Sequence, residues 1–307
     1  MDRHEYLDRL IERALGSPPL RAAVVFPVDQ VSLLAALEAK SAGIITPVLV
    51  GPAREINEVA LQSGLDIGGL PLLDAPDEAS AARVAVETVH ARGADVLVKG
   101  SLHTSAFLRA VLLRGAGMRG ARRASHVFVF DVPAYDRPLL VTDAAVNVAP
   151  GLADKADICR NAVALAHALG IELPKVAVLS ALEVVDPSIP STLDAAALSK
   201  MAERGEISGA VVDGPLALDD AISPAAVEIK HFASSVGGNA DILVVPNLEA
   251  GNILYKSFVY MGGADVAGIV VGTKVPLVLT SRADTERSRV ASAALAAVWS
   301  RSMPASD

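Results

Sequence analysis

Residues 241–289 read DILVVPNLEAGNILYKSFVYMGGADVAGIVVGTKVPLVLTSRADTERSR, and this stretch decides the fold class that the sequence predicts. Three short apolar runs, at 242–245, 266–271 and 277–280, have the composition of strands, and a polar turn follows each. Such runs are typical of a parallel α/β sheet, whose ligands bind outside the carboxyl ends of the strands. We therefore expect a site formed by the polar residues at or just past these ends: Asn247, Glu249, Asn252, Lys256, Thr273, Lys274, Ser281 and Arg282.

The last of these turns precedes a predicted helix over 286–299. Ser281 with Asp284 three residues later resembles a capping box, with Asp in the place usually held by Glu or Gln. The same turn also has the chemistry of an anion site, because free N–H groups, the helix dipole and the Arg282 guanidinium all attract a phosphate. Both interpretations stand on the spacing alone.

A second stretch, 96–130, holds six Lys or Arg residues and no Asp or Glu in a chain with excess acid. Its first part follows a predicted strand and opens a helix, which again suits a phosphate, and contains Lys99, Ser101, His103 and Thr104. Arg109 is expected one turn into that helix. His103 is interpreted either as a base or as a hydrogen-bonding residue at the helix start. The later arginines, taken together, predict an electrostatic funnel: Arg114, Arg119, Arg122 and Arg123.

Strands and helices alternate through the whole chain, which predicts a doubly wound α/β fold. We expect two domains, one formed by 1–120 with 269–307 and the other by 121–268. The two common nucleotide-binding signatures, GxGxxG after the first strand and GxxxxGK[ST], are missing. Asp143 and Asn147 follow another predicted strand, where they either face a cleft or cap a turn.

The totals exclude several classes of protein. The 307 residues are 52% hydrophobic and carry a net charge of −8, which argues against nucleic acid or an anionic membrane as the main partner. No apolar run approaches the ~18 residues of a transmembrane helix, and the charged first residues predict a cytoplasmic protein. The one cysteine, Cys159, excludes an internal disulfide and is expected to be packed in a helix.

Several motifs resemble the phosphate acetyl/butyryltransferase family, which includes phosphotransacetylase. They are VPNLEAGNILYK (245–256), VLTSRADT (278–285), KGSLHTSAFLRAVL (99–112) and the segments 125–150 and 212–223, and they are closer to the butyryltransferase branch. The resemblance implies reversible acyl transfer between coenzyme A and phosphate, with CoA as substrate, no permanently bound cofactor and no metal. It also implies a two-domain, three-layer α/β/α fold of the isocitrate/isopropylmalate-dehydrogenase type. The active site is then expected in the interdomain cleft of a homodimer.

The resemblance also implies roles. Ser281 and Arg282 are expected to bind the acyl phosphate, and Arg109, allowing a one-residue gap, matches a phosphate-contacting arginine. The acetyl branch has an aspartate, proposed as general base, where this chain has Ser288. The base therefore stays open between Asp284, Asp143 and none, since a thiol with a pKa of ~8.5 is already partly ionised.

Two other functions share the fold: a non-catalytic acyl-CoA-sensing module and an acyltransferase that takes its acyl group from acyl carrier protein. The intact Ser281–Arg282 pair, Arg109 and Lys99 favour the acyl-CoA enzyme over the sensor, and the motifs at 245–256 and 278–285 fit the carrier-protein enzyme less well. The sequence does not fix the acyl chain length, because one methylene changes pocket binding by only ~1–3 kcal/mol.

Overall fold

The computed structural model describes residues 5–279 and 284–303, and within these ranges strands alternate with helices. The strands are β1 (Leu20–Val25), β2 (Ile45–Gly51), β3 (Leu72–Asp74), β4 (Val96–Lys99), β5 (Ser125–Asp131), β6 (Leu139–Thr142), β7 (Lys175–Leu179), β8 (Val211–Leu216), β9 (Ile242–Val244), β10 (Asp265–Val271) and β11 (Leu277–Val278). The helices are α1 (Glu5–Leu15), α2 (Gln30–Ser41), α3 (Ala53–Gln62), α4 (Glu78–His90), α5 (Thr104–Val111), α6 (Leu152–Ala168), α7 (Pro190–Glu203), α8 (Leu218–Ile222), α9 (Pro224–Lys230), α10 (Leu248–Tyr260) and α11 (Glu286–Ser302), with a 3-10 turn at Arg114–Ala116.

The chain divides into two compact units. The terminal unit comprises Leu7–Ala121 and Ala267–Asp307, and the central unit comprises Met1–Tyr6 and Arg122–Val266. Residue 6 belongs to the central unit because the Tyr6 N–H donates to an Asp131 carboxylate oxygen at 2.9 Å. That each unit folds as an independent domain stays a prediction.

In the terminal unit, the strands lie in the order β3-β2-β1-β4-β11-β10. Neighbours from β3 to β11 are parallel, and β10 is antiparallel to β11, with Val270 opposite Leu277. Strands β1 and β10 are buried along nearly their whole length. Because successive side chains point to opposite faces of a sheet, this burial means that both faces are covered.

In the central unit, the order is β5-β6-β9-β7-β8, with β5 and β6 antiparallel and the other neighbours parallel. Helix α10 lies over β5, since the Tyr255 and Phe128 rings stack with centroids 4.4 Å apart. The ring of Phe258 meets Phe130 edge-on at 5.3 Å. Both units are thus α/β with mostly parallel strands, and the predicted fold class is confirmed.

The predicted parallel direction of 266–271 is wrong, because β10 is antiparallel to β11. The loop between them spans only 272–276. A parallel connection needs a crossover of about a dozen residues or more, so this loop length permits only a hairpin. The carboxyl end of β10 therefore lies at the amino ends of the parallel strands of its unit.

The capping-box interpretation of the turn before α11 depends on Ser281, which lies outside the described residues. Helix α11 is capped by Thr285, whose Oγ1 accepts a hydrogen bond from the Ser288 N–H at 3.1 Å. A hydroxyl at this position satisfies one of the free N–H groups of the first turn. Among the described residues, no helix is both long and apolar enough to cross a membrane.

Candidate active site

The carboxyl end of β4 packs closely against the carboxyl end of β1. The N–H groups of Gly100 and Ser101 donate to the carbonyls of Val25 and Phe26, each at 2.9 Å. A Cβ on Gly100 would lie 2.4 Å from the Val25 oxygen, so this turn requires glycine. Lys99 is half-buried, and its Nζ donates to the Gly100 carbonyl at 2.9 Å.

Ser101 holds the neighbouring turn as well. Its Oγ accepts from the Val28 N–H at 3.0 Å and lies 3.1 Å from the Ser32 hydroxyl in the first turn of α2. Ser101 is predicted to bind substrate, and these contacts show that it also holds the turn after β1 in place. The turn after β1 and the turn after β4 are therefore one connected surface.

Helix α5 begins at this surface. His103 precedes it, Thr104 is its first residue, and His103 is exposed with no side-chain capping bond. Arg109 lies in the last turn of this eight-residue helix, further along than the sequence predicts. Its side chain is exposed, and no described carboxylate forms an ion pair with it. Arg109 is thus a cation available to an anionic ligand.

Strand β11 ends beside β4. Leu277 and Val278 lie opposite Leu97 and Val98 in parallel register, so the chain leaves β11 next to the turn that begins at Lys99. Ser281 and Arg282, the predicted phosphate-binding pair, follow directly and lie outside the described residues. Their predicted roles therefore stay a prediction, supported by where β11 ends.

Asp284 follows this segment, and its backbone is held by Arg289, which also forms a largely buried ion pair. Arg289 donates to the Asp284 carbonyl at 2.6 Å, and the same guanidinium pairs with Glu38 of α2, where both side chains are 11% exposed. Ser288 is buried, and its hydroxyl lies 3.1 Å from the Thr285 hydroxyl. Ser288, predicted to contact substrate, is therefore packed inside the first turn of α11.

Thr273 and Lys274 do not lie at the edge of the sheet where the sequence predicts them. Because β10 is antiparallel, these residues lie at the amino ends of the parallel strands, at the opposite edge from Lys99. Thr273 is buried and donates its hydroxyl to the Val275 carbonyl at 2.7 Å. Lys274 lines a 360 Å³ cavity with Asp95, which stands just before β4. Neither residue belongs with the other candidates of this unit.

This placement gives a prediction for Lys274→Ala. In the acyl transfer that the resemblance implies, we expect its kcat and its KM for CoA to stay within about twofold of wild type, as for an exposed surface substitution. Steady-state kinetics of the purified variant test this, with Lys256→Ala on α10 as the matched substitution that should raise the KM for CoA. A tenfold higher KM in Lys274→Ala alone would return Lys274 to the site.

In the central unit, Asp143 follows β6 and is 2% exposed. Its Oδ1 accepts from the N–H groups of Ala145 and Val146 at 2.9 and 3.0 Å. Its Oδ2 accepts from the backbone N–H and the side-chain amide of Asn147 at 3.1 and 2.6 Å. Burial raises the pKa of the Asp143 carboxyl, and these hydrogen bonds oppose that shift.

Asn147 is buried too, and all of its side-chain contacts are internal. Its amide also donates to the Ala124 carbonyl at 2.9 Å, and its oxygen accepts from the Arg123 guanidinium. Arg123 further pairs with Asp154 near the start of α6 at 3.0 Å. Asn147, predicted to bind substrate, thus links Asp143 to Arg123.

Helix α10 begins beside the same turn. Asn247 caps it by accepting from the Ala250 N–H at 2.9 Å. Gly251 is required, because a Cβ there would lie 2.8 Å from the Ala144 Cβ. Three of the predicted binding residues follow at positions that share one face of the helix: Glu249, Asn252 and Lys256. Glu249 and Lys256 are exposed and Asn252 is half-buried, so this face is accessible.

Three of the four arginines of the predicted electrostatic funnel have local partners, and only Arg123 is paired with a described carboxylate, so the funnel stays a prediction. Arg119 donates to the Leu112 carbonyl at 2.6 Å, and Arg122 donates to the Arg160 carbonyl at 3.1 Å. Arg123 is engaged by Asn147 and Asp154, as described above. Cys159 is buried, as predicted, and burial raises the pKa of its thiol to about 12.

Sequence reasoning missed two groups that organise the site: the Glu38–Arg289 pair and the Arg123–Asn147 contact. The first joins residues 251 positions apart, and no local pattern marks such a pair. The second had one signal, an Asp and an Asn four residues apart directly after a strand, which is typical of a side chain that bonds its own turn.

Comparison with known proteins agrees over nearly the whole chain. Residues 78–297 match the family described as phosphate acetyl/butaryl transferase. A phosphate acetyltransferase of Rhizobium meliloti is 49% identical over 292 residues, covering 95% of this chain and 92% of the relative. A phosphate butyryltransferase of Clostridium acetobutylicum is 46% identical over 291 residues, covering 95% and 97%. A branched-chain phosphotransacylase from Enterococcus faecalis V583 aligns in structure with a TM-score of 0.79 at 32% identity, covering 92% of this chain and 99% of that one.

Relatives with acetyl and butyryl names are similar to nearly the same degree, so these identities do not separate the two branches. The family match covers more than half of the residues, and the identities are far above the level at which families become ambiguous. The predicted resemblance is confirmed: the chain belongs to the phosphate acetyl/butaryl transferase family.

Proposed function

We propose that this chain transfers acyl groups reversibly between coenzyme A and inorganic phosphate. The observation that carries the proposal is the similarity over about 95% of the chain to relatives named for this transfer, one acetyl and one butyryl. The structure supports it with a terminal unit in which β4 and β11 end side by side, next to the start of α5. In parallel α/β sheets, this edge is where ligands bind.

In the direction of acyl-CoA formation, the CoA sulfur attacks the carbonyl carbon of the acyl phosphate. The bond between that carbon and the bridging phosphate oxygen breaks, phosphate leaves with the electron pair, and the thiol proton goes to a base or to water. Negative charge builds up on the carbonyl oxygen and on the departing phosphate. We assign the binding of that charge to Arg282, Ser281 and Arg109, since fixed cations and hydroxyl donors stabilise such a transition state.

The thiol proton has two acceptors in this proposal. Asp284 is the carboxylate next to the Ser281–Arg282 pair in the chain, and the Arg289 guanidinium holds its backbone. The second acceptor is solvent, because a thiol with a pKa of ~8.5 is partly ionised near neutral pH. Ser288 has no acid–base function here, as its hydroxyl is buried against Thr285.

We assign the binding of CoA to two groups of residues, each of which is described within its own unit. In the central unit, Glu249, Asn252 and Lys256 offer hydrogen bonds and one cation along the accessible face of α10. In the terminal unit, Lys99, His103 and Thr104 lie where α5 begins, and a helix start attracts phosphate groups. Each group contains one lysine whose charge suits a phosphate of CoA, Lys256 in the first and Lys99 in the second, and Asn247 fixes the start of α10.

The test is phosphate-dependent release of CoA thiol from acetyl-, propionyl-, butyryl- and longer acyl-CoA, without added metal. We expect turnover with several of these substrates, with kcat/KM changing by no more than about 10–200-fold per methylene. The best substrate identifies the branch. Tight acyl-CoA binding without turnover would identify a sensor. Turnover only with acyl groups carried by acyl carrier protein would identify the carrier-protein-dependent acyltransferase.

We also propose that the protein is a cytoplasmic homodimer. Its one cysteine, Cys159, is buried and forms no disulfide, which suits a reducing compartment. Away from α10, the central unit exposes Val184, Val185 and Leu193, three large apolar side chains whose burial between subunits is favourable. Light scattering of the purified protein measures the mass of the particle, and a monomer at micromolar concentration would contradict this assembly.

A further inference from the structure

The turn that follows β6 is joined to helices on two sides. Arg123 binds Asn147, and its guanidinium pairs with Asp154 at 3.0 Å, so one end of the turn is fixed to α6. At the other end, the Leu248 N–H at the start of α10 donates to the Val148 carbonyl at 3.1 Å. Arg123 is held a second time because its N–H donates to Asp157 at 3.0 Å.

Asp143 lies at the centre of these contacts. An ionised carboxylate offers about four acceptor positions, and four N–H donors from residues 145–147 occupy them at 2.6 to 3.1 Å. With the side chain 2% exposed, neither solvent nor a thiol reaches a free lone pair. The geometry is that of a group that shapes its own turn, rather than of a group that accepts a proton from a substrate.

A shift of this turn would displace helix α10, because the two are in direct contact. Gly251 has no room for a Cβ, which would lie 2.8 Å from the Ala144 Cβ and 2.9 Å from the Ala144 Cα. If the turn relaxes outward by a few tenths of an ångström, the first turn of α10 must move with it. That turn carries Glu249, and Asn252 follows in the next.

We propose that Asp143, Asn147 and Arg123 are positioning residues, which hold the amino end of α10 where its side chains bind coenzyme A. This inference rests on the proposed function and removes Asp143 from the candidate bases. The three residues act through α10 and touch no reacting atom. Substitution of these residues is therefore expected to lower the affinity for CoA and to leave the proton-transfer step unchanged.

The first test is Asp143→Asn, with matched kinetics for CoA and acyl phosphate. An amide in place of the carboxylate turns one acceptor into a donor that faces the Asn147 donors, so the turn must open. We expect the KM for CoA to rise about tenfold or more, kcat to change less than KM, and the shape of the pH profile of kcat/KM to stay that of wild type. Asp186→Asn is the control, since Asp186 also bonds its own turn in this unit.

Asp143→Asn combined with Asn147→Asp gives the rescue. The new amide can donate to the new carboxylate, which also faces the Arg123 guanidinium, so the link is rebuilt with its polarity reversed. We expect the KM for CoA to recover at least in part. A base at position 143 predicts the opposite result: kcat falls by orders of magnitude in both variants, and one limb of the pH profile disappears. Such a result would overturn the proposal.

Arg123→Gln provides a second test of the proposal, which can be used if the Asp143→Asn variant does not fold. The Arg123 side chain is 52% exposed, so its truncation is tolerated more easily, and it breaks the same link at its outer end. We expect a higher Kd for CoA by calorimetry, and an unchanged Kd would contradict the inference. Because this measurement needs no turnover, it stays informative if wild type binds CoA without catalysis, the result that would reject the proposed function alone.

Discussion

Arg282→Ala is expected to lower kcat by more than about 100-fold while the protein stays folded. A guanidinium presents two N–H donors in the geometry of a phosphate, and its charge counts most where the transferred phosphate gains charge in the transition state. The loss should therefore appear in kcat as well as in kcat/KM. The chain enters this segment from β11, beside β4, and leaves it at Asp284, which Arg289 holds.

Initial rates of CoA release from acyl-CoA, and of CoA consumption in the reverse direction, measure the effect, and a melting curve shows that the variant is folded. Arg83→Ala is the matched control, because Arg83 is an exposed arginine on α4 that pairs only along its own helix with Glu87. Its rates should equal those of wild type. If a folded Arg282→Ala enzyme keeps wild-type turnover, Arg282 has no part in the mechanism.

Gly100→Ala is expected to give the largest loss of stability. The new Cβ would lie 2.4 Å from the Val25 carbonyl oxygen and 2.7 Å from the Phe26 oxygen, and both are backbone atoms of a buried turn. Neither strand can shift without breaking its parallel register. We expect the free energy of unfolding to fall by about 3 kcal/mol, which lowers Tm by roughly 5 °C in a chain of 307 residues.

Thermal and urea unfolding of the two proteins test this expectation. Gly115→Ala serves as the control, because a Cβ on Gly115 meets nothing within 4 Å. The turn after β4 also carries Lys99 and leads to α5, so we expect Gly100→Ala to lose activity at temperatures where it remains folded. Equal melting temperatures for Gly100→Ala and wild type would mean that the two strand ends separate at little cost.

The fold class was readable because its signals are local. Short apolar runs, polar turns and helical periods each lie within a few residues of one another. The parallel direction predicted for β10 is an error that the sequence itself can correct, since a five-residue loop cannot carry a parallel crossover. That one error placed Thr273 and Lys274 at the wrong edge of the sheet, because the direction of a strand decides which of its ends faces the ligand.

The roles of single side chains are harder to predict from the sequence than the fold class. Asp143 and Asn147 are predicted at the site because polar residues after a strand often bind ligands, and Ser288 because the resemblance places it where the acetyl branch has its aspartate. The contacts of all three are internal and buried. A polar residue that satisfies its own backbone has the same sequence signature as one that meets a substrate. Only burial and hydrogen-bond partners separate the two cases, and both depend on the folded chain.

Strand β11 lies between β4 and β10 in its sheet, although it is the last strand of the chain to be made. At the usual pace of protein synthesis, roughly 10 to 35 s pass between the emergence of β4 and that of β11. During that interval the central unit, which is almost continuous in the chain, can complete its sheet, while β4 keeps an open edge. An open strand edge pairs readily with other chains. The nascent protein is therefore most vulnerable to aggregation just before its C-terminal residues leave the ribosome.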